Sequence, residues 1–496
     1  MKLRPYQRRA LEDIKKFLKD SEHTKGLLVA PVGCGKSILI SLIADCLKGK
    51  KLLVVQPSEE LLKQNLEKAR NIGLNPTVYS ASLNSKDIST LTYATPMSLI
   101  KNPELFKDIE YVCIDESHLF STNQLKNGKV TSESKFNQFL KEIKPKKIIG
   151  LTATPIQLVS TNRGGAELKM LNRSKRSFWF GADIFHITQI ADIKNDYWAK
   201  LEYRHKPMNE EDLVLNSSGS DFKEESIITF YENNDLDKKI IDEFNDLRAE
   251  GKRSILIFVP SIEIADRLAS KCSEFRVVSA NTGKKDREEI VRHFKIGKLK
   301  GLVNVATMTT GFDHPELDAI ILARNTNSFA LYHQIIGRIC RPIIRPDGTK
   351  FRKTGTIVDF TNNYERFGGI ENISYEKQDY TSGWAMWNGD RLMTGFPFGN
   401  WNMPSRESVK RSYEAKYGKK SSNTTRTLNT GVDPDKLIMP IGKYKGKSAR
   451  EIFERDRRYV LWMMTGNFNW SYKNMLDFKE AFKVLLGEGI TRTDGL

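Results

Sequence analysis

The sequence predicts an α/β protein: two parallel-sheet domains in tandem, followed by a small C-terminal module. Three observations carry this expectation. The chain has 496 residues, and a single core stops growing near roughly 250 to 300 residues, so division into domains is required. Short apolar runs alternate with longer amphipathic ones, the pattern of strands covered on both faces by crossover helices. The alternation begins at Gly26, pauses, restarts at Ser254 and stops beyond about Tyr364.

In the first domain, residues 1–155, Gly26 to Ala30, Leu52 to Gln56, Tyr111 to Asp115 and Lys147 to Thr152 read as buried strands. Residues 156–250 read as a connecting or inserted region, with many Asn, Ser, Glu and Asp between Asn209 and Asp237 and no strong period. The second domain, 251–365, has strands expected at Ser254 to Val259, Arg276 to Val278, Leu302 to Ala306 and Ala319 to Ala323. Residues 366–430 form an aromatic-rich accessory region and linker. Trp384, Trp387, Phe396, Phe398 and Trp401 suit core or interdomain packing better than a base-stacking wedge, and Lys419 to Thr430 reads as the linker. The small module, 431–496, regains apolar spacing.

Composition narrows the class. Hydrophobic content of 39% and charged content of 28% fit a globular protein, and the longest apolar segment, Ile38 to Leu47, is broken by Ser41 and Asp45, so no membrane span is expected. The N-terminus opens into an amphipathic helix with no secretory apolar region, so a cytoplasmic location is expected. Five cysteines without CxxC spacing fit reduced thiols. The formal charge of +18 favours a polyanionic partner, because Lys and Arg neutralising phosphates release counterions.

Chemistry enters at Ala30-Pro31-Val32-Gly33-Cys34-Gly35-Lys36-Ser37, between a strand and an apolar helix. Gly33 and Gly35 let backbone N–H groups wrap phosphate oxygens, Lys36 offers a cation to the β and γ phosphates, and Ser37 can ligate Mg²⁺. Downstream, Val112-Cys113-Ile114-Asp115-Glu116-Ser117-His118 sets two carboxylates at the end of an apolar strand, where active sites of parallel sheets form. Asp115 suits the Mg²⁺ shell opposite Ser37, and Glu116 can orient and deprotonate a water.

With these two motifs in order, residues 3 to 360 resemble a superfamily 2 helicase of the DExH kind, the box here spelled DESH. The resemblance implies two RecA-like domains, ATP as the nucleotide and Mg²⁺ as its metal. It makes Gln7, in Leu3-Arg4-Pro5-Tyr6-Gln7, the adenine-reading residue, and the loop Gly33, Cys34, Gly35, Lys36, Ser37 the phosphate cradle. It gives Thr152 and Thr154 of Leu151-Thr152-Ala153-Thr154-Pro155, with His118 of the box, the coupling of nucleotide site to second domain. Pro57, Ser58 and Thr95 match strand-holding motifs, although turn and N-cap chemistry explains Ser58 and Thr95 equally well. Thr309 and Thr310 would touch the strand, and Gly311 and Asp313 the nucleotide. Gln334, Arg338 and Arg341 match the last motif; at i, i+4 and i+7 they would share one helix face, the two arginines acting as fingers on the phosphates. The implied activity is a DNA helicase or translocase serving replication, recombination or repair, of the phage branch-migration type. Single-stranded, duplex or branched DNA would be its partner, joined by other replication or recombination proteins. The start, the DESH box and the compact last motif look more like DNA motors than the DEAD-box RNA group. An RNA helicase, an ATP-gated clamp and a restriction-type translocase subunit are the alternatives.

The C-terminal Met439-Pro440-Ile441-Gly442-Lys443-Tyr444-Lys445-Gly446-Lys447 resembles a small module appended to some phage and bacterial nucleic-acid enzymes. Residues 401–496 hold 19 Lys and Arg against 11 Asp and Glu. Lys443, Lys445 and Lys447 around Tyr444 suit a phosphate-contacting turn with a stacking ring; a basic hairpin with its aromatics in a core is the other reading.

Overall fold

A computed structural model describes residues 3–120, 124–126, 129–160, 166–216, 221–305, 312, 314–344, 350–377, 383–395, 397–398, 404–417, 434–439, 443–456, 459–460, 463–464, 477–479, 481–482 and 485. The chain divides into two compact units, Met1–Tyr413 and Glu414–Leu496.

The first unit is built on two sheets. In the larger, eight strands run in the order Asp183–Ile187, Lys25–Val29, Lys147–Thr152, Tyr111–Ile114, Leu52–Val55, Leu91–Ala94, Thr77–Ser80 and Ser85–Lys86, all pairs parallel except the last. Leu27, Leu28, Val29, Leu53, Val54, Val55, Val112, Cys113 and Ile114 are completely buried, as strands with a helix layer on each face must be. The N-terminal helix Pro5–Lys19 lies on this sheet through Tyr6, Ala10, Ile14 and Phe17, one stripe of the helix. Pro5 opens that helix, and the Gln7 side chain reaches back to the Arg4 N–H at 3.0 Å.

The second sheet is wholly parallel, in the order Lys200–His205, Thr354–Asp359, Ala319–Leu322, Ile255–Phe258, Gly301–Asn304, Phe275–Val278. Phe230, Ile240, Phe244 and Leu268 from three helices cover one of its faces. The expected strands therefore appear within two residues of their expected ends.

Residues 156–250, expected as a connection or insertion, supply an edge strand to each sheet. Asp183–Ile187 pairs with the phosphate-loop strand, and Lys200–His205 pairs with Thr354–Asp359. Both mix polar residues among the apolar ones and are more exposed at alternate positions near their starts, as edge strands are, and so lack the continuous apolar run of the central strands. The same stretch gives Trp179, fully buried against Gly150; a Cβ on that glycine would stand 2.6 Å from the indole. Trp179 Nε1 donates to Ser117 O at 3.0 Å, which anchors the loop carrying Asp115 and Glu116.

The aromatic region forms the antiparallel meander Ile373–Lys377, Trp384–Asn388, Arg391–Leu392, while Pro397–Phe398 pairs with Ala166–Met170. Trp387 is buried and Trp384 half-buried. Phe396 and Trp401 lie outside the described residues. Among the described residues, no helix is long and apolar enough to cross a membrane.

In the second unit, Met439, Tyr444, Ala449, Ile452, Val460, Met463, Phe478, Ala481, Phe482 and Leu485 form their own core. Tyr444 is 8% exposed and its hydroxyl donates to Asp456 Oδ2 at 2.7 Å, so it is a core ring and not the stacking ring of the first reading. The ring turns inward because Asp456 satisfies its only polar group there.

Candidate functional site: a phosphate loop facing two arginines

The phosphate loop leaves the C-terminal end of Lys25–Val29, and Ala30 N–H donates to Thr152 O at 2.8 Å. Gly33 and Gly35 adopt φ of 75° and 88°, where a side chain is strained. Space is tight as well: a Cβ would stand 3.3 Å from Trp198 Nε1 at Gly33 and 3.0 Å from Gln7 Nε2 at Gly35. Cys34 is buried. Its carbonyl accepts from Tyr6 OH (3.0 Å) and Gln7 Nε2 (3.1 Å), and burial pushes its thiol up to about 12. Lys36 and Ser37 then begin the helix Lys36–Cys46, whose amide dipoles point at the loop.

Lys36 Nζ pairs with Glu116 Oε1, each side chain 15% exposed. Burial works against both charges, but Glu116 and Asp115 outweigh it at Lys36, which rises, and Lys36 outweighs it at Glu116, which falls. Asp115 is different. Burial, with Glu116 alongside, holds it up at about 6 against the pull of Lys36. Glu116 takes φ of 45°, a left-handed conformation rare outside glycine, and its N–H donates to Asp115 Oδ1 at 2.9 Å. Strain at such a carboxylate is what an active-site turn stores.

His118 links three of the expected motifs. Its Nδ1 lies 2.9 Å from Thr152 Oγ1 and 3.5 Å from Glu116 Oε2, and its Nε2 lies 3.1 Å from Gln334 Nε2. Burial holds the imidazole down at about 4, so it is neutral at ordinary pH. With the Gln334 amide donating to Nε2, the proton sits on Nδ1 and is given to Thr152. Thr152 Oγ1 also accepts from Thr154 N at 3.0 Å, whereas Thr154 Oγ1, buried, has no partner among the described residues.

The second sheet contributes Arg338 and Arg341. Their helix runs Phe329–Ile336 and stops at Gly337, so Arg338 follows it in a turn, Arg341 lies just beyond that turn, and the shared helix face expected from sequence does not form. Pro342 has no N–H to extend the helix and disfavours helical backbone at Arg341. Gly337 packs against the phosphate loop, where a Cβ would stand 2.9 Å from Val32 Cγ1. Arg338 is held by Gln334 O (3.3 Å) and Phe312 O (2.9 Å). Both arginines nevertheless line one cleft of about 400 Å³ with Gly33, Lys36, Asp115 and Glu116.

Gln7 is 2% exposed, with Oε1 on Arg4 N and Nε2 on Cys34 O; Arg4, not Gln7, lines the cleft. Arg4 stacks at 4.2 Å on Tyr197, which lines the cleft too. Ser58 caps the helix Glu59–Asn71 through Leu61 N (3.3 Å), beside Pro57, and Thr95 Oγ1 meets Ser98 Oγ at 3.0 Å. Thr309, Thr310, Gly311 and Asp313 lie outside the described residues. In the second unit Lys443 pairs with Asp456 (3.0 Å) and Lys447 with Glu451 (3.1 Å), and Lys445 is exposed.

Tyr197 and Asn65 line the cleft and Trp198 bonds to the phosphate loop, and none of the three carried a motif in the sequence. Trp198, 1% exposed, donates its indole N–H to Val32 O at 2.9 Å; the next residue, Ala199, gives its N–H to Cys340 O at 2.6 Å. The junction between the sheets thus touches both the phosphate loop and the end of the last motif, with Tyr197 immediately before it. Asn65, 4% exposed, bonds Ser37, Asp115 and Gln56 together. Its signal was a polar residue on the apolar stripe Leu62, Asn65, Leu66, Ala69.

A phosphate loop and paired carboxylates at the strand ends of one parallel sheet, closed by arginines from a second, define a nucleotide-hydrolysing motor. The comparisons agree. Residues 1–157 match the family described as type III restriction enzyme, res subunit, and residues 235–342 match the helicase conserved C-terminal domain. A 51.5 kDa protein of a Lactococcus phage is 25% identical over 370 residues, 72% of this chain and 70% of that protein. The DNA 3'-5' translocase XPB2 of Sulfurisphaera tokodaii is 22% identical over 378 residues, 69% of this chain and 79% of that one. Among solved structures, the ATP-dependent Type ISP restriction-modification enzyme LlaBIII bound to DNA superposes with a TM-score of 0.53 at 18% identity, over 73% of this chain. A fragment assigned to the HsdR subunit of a type I restriction enzyme from Vibrio vulnificus gives 0.52 at 17%, also over 73%. The match spans only 28% and 65% of those two chains. The protein is a nucleic-acid-dependent ATPase with two RecA-like domains in tandem, similar in both to helicases.

Proposed function

We propose that this ATPase moves along or remodels DNA, and that it acts on branched or partly single-stranded DNA of the kind met in replication, recombination or repair. The observation that carries the motor reading is the cleft itself, where residues of both sheets face one nucleotide-sized space. Hydrolysis there changes the separation of the sheets, which converts chemistry into displacement along a strand. Support for DNA comes from the relatives named for DNA translocation or solved bound to DNA, and from the charge of +18.

In this reading Lys36 and the loop amides hold the β and γ phosphates of ATP, and Glu116 orients the attacking water and takes its proton. Arg338 and Arg341 face the charge that develops on the transferred phosphoryl group. Ser37 and Asp115 fit Mg²⁺, being hard oxygen donors joined through one side chain, Asn65. When bound, that ion neutralises phosphate charge. His118, Thr152 and Gln334 carry the state of the Glu116 turn across to the second sheet. Pro57, Ser58, Thr95, Thr309 and Thr310 hold the strand by its backbone, and Lys445, with Lys443 and Lys447, adds a second contact to phosphates.

The test is ATPase stimulation by single-stranded, duplex and branched DNA and by RNA, side by side. Branched or single-stranded DNA should stimulate most. Stimulation by RNA alone would replace DNA with RNA as the substrate.

A further inference from the structure

We propose that Asn65 is the positioning residue of the metal site: it sets the Ser37 hydroxyl and the Asp115 carboxylate in the orientation in which both can serve one Mg²⁺. The proposal rests on the reading of this cleft as a Mg²⁺–ATP site and adds a residue that neither the phosphate loop nor the carboxylate box contains.

Asn65 lies in the second turn of the helix Glu59–Asn71, on the face turned to the core between Leu62 and Leu66. A primary amide there would cost a few kcal/mol if its polar atoms were left without partners. Every one of the contacts that satisfies it belongs to the site or its border. Nδ2 donates to Asp115 Oδ2 at 3.0 Å and to Gln56 Oε1 at 2.9 Å, while Oδ1 accepts the Ser37 hydroxyl proton. The two acceptors fix which end of the amide faces which way, because a carboxylate and a carbonyl both need a donor. With the amide fixed, Ser37 points its proton at Oδ1; Lys68 Nζ faces the same Ser37 oxygen at 3.4 Å, and the remaining lone pair is left for a cation. Asp115 is steadied on both oxygens, by Asn65 on Oδ2 and by the Glu116 N–H on Oδ1.

Only Asn satisfies this set at this reach. Asp in its place would set a carboxylate against Asp115, and Leu would leave Ser37 and Asp115 free to turn. Groups that orient metal ligands commonly matter tenfold to a hundredfold in metal affinity. The same amide touches Gln56, which is completely buried at the end of Leu52–Val55, immediately before Pro57 and Ser58. The metal site and the proposed strand-holding segment therefore share one side chain.

The experiment uses the full-length protein with ADP, and Mn²⁺ as an electron-paramagnetic-resonance probe of the metal site. Asn65→Ala, with Asn65→Ser as the gentler variant, should weaken Mn²⁺ binding to the protein–ADP complex about tenfold while ADP affinity in EDTA stays within about twofold of wild type. In a Ser37→Ala background the same change should cost clearly less than in wild type, because one of the two ligands it orients is already gone. Unchanged Mn²⁺ affinity in both variants overturns the proposal. Equal loss of ADP affinity without metal, or full additivity with Ser37→Ala, makes Asn65 structural and overturns it as well. Failure of the wild-type protein to bind ADP, or of Ser37→Ala to weaken Mn²⁺, instead removes the site reading beneath it.

Discussion

Lys36 and Lys443 each stand against a carboxylate, and the two pairs behave as opposites. Lys36 and Glu116 are 15% exposed at both side chains, so each charge depends on the other; Lys443 and Asp456 are 64% and 26% exposed, and water screens them. A buried pair in a catalytic cleft is a poised arrangement that nucleotide phosphates can enter by taking over the lysine. An exposed pair is a weak, salt-sensitive contact that a DNA phosphate can displace at little cost.

That contrast is most sharply broken at Lys36. Lys36→Ala should lower ATP turnover by at least about a thousandfold, since the phosphates lose their cation and Glu116 loses its partner. Near-normal turnover would show that the cleft is not where ATP reacts. The next largest effect falls on the second sheet. Arg338→Lys and Arg341→Lys should each slow hydrolysis by roughly tenfold to a hundredfold with ATP affinity little changed, because ammonium cannot reproduce the guanidinium fork. Equal losses of binding and turnover would make these residues structural.

A smaller effect, read in stability, concerns His118. Its imidazole is held near 4 in the fold and titrates near 6.5 when unfolded, so between those values the unfolded chain binds the extra proton. His118 therefore makes the fold less stable as pH falls from about 6.5 to about 4. His118→Gln should soften that loss in thermal melts across the window, and an identical pH dependence would contradict a buried neutral imidazole. Lys443→Ala should do least. Basal ATPase and melting temperature should not move, while the salt dependence of DNA binding becomes slightly shallower; a large fall in stability would mean the pair holds the small unit together.

The central strands, the phosphate loop and the carboxylate box were legible because burial on both faces writes an unbroken apolar run, and the loop's glycines and lysine occupy a fixed frame. The edge strands Asp183–Ile187 and Lys200–His205 were not, since their mixed polar and apolar residues resemble a loop with scattered apolar residues. The helix face for Arg338 and Arg341 failed because the helix ends at Ile336, although Pro342, which cannot continue a helix, stands in the sequence beside Arg341. Tyr197 and Trp198 left no trace in sequence because their partners, Arg4 and Val32, are about 190 and 170 positions away. Asn65 was visible as a polar residue on an apolar stripe, although nothing in the pattern named its partners.

The account turns on Glu116 acting on water and not on nucleotide binding. Glu116→Gln keeps the size and loses the base, so one measurement decides it: ATP binding and single-turnover hydrolysis of that variant, with single-stranded DNA present, beside wild type. The account predicts that ATP binds within a few-fold of wild type while hydrolysis is all but abolished. Hydrolysis at a wild-type rate would contradict it.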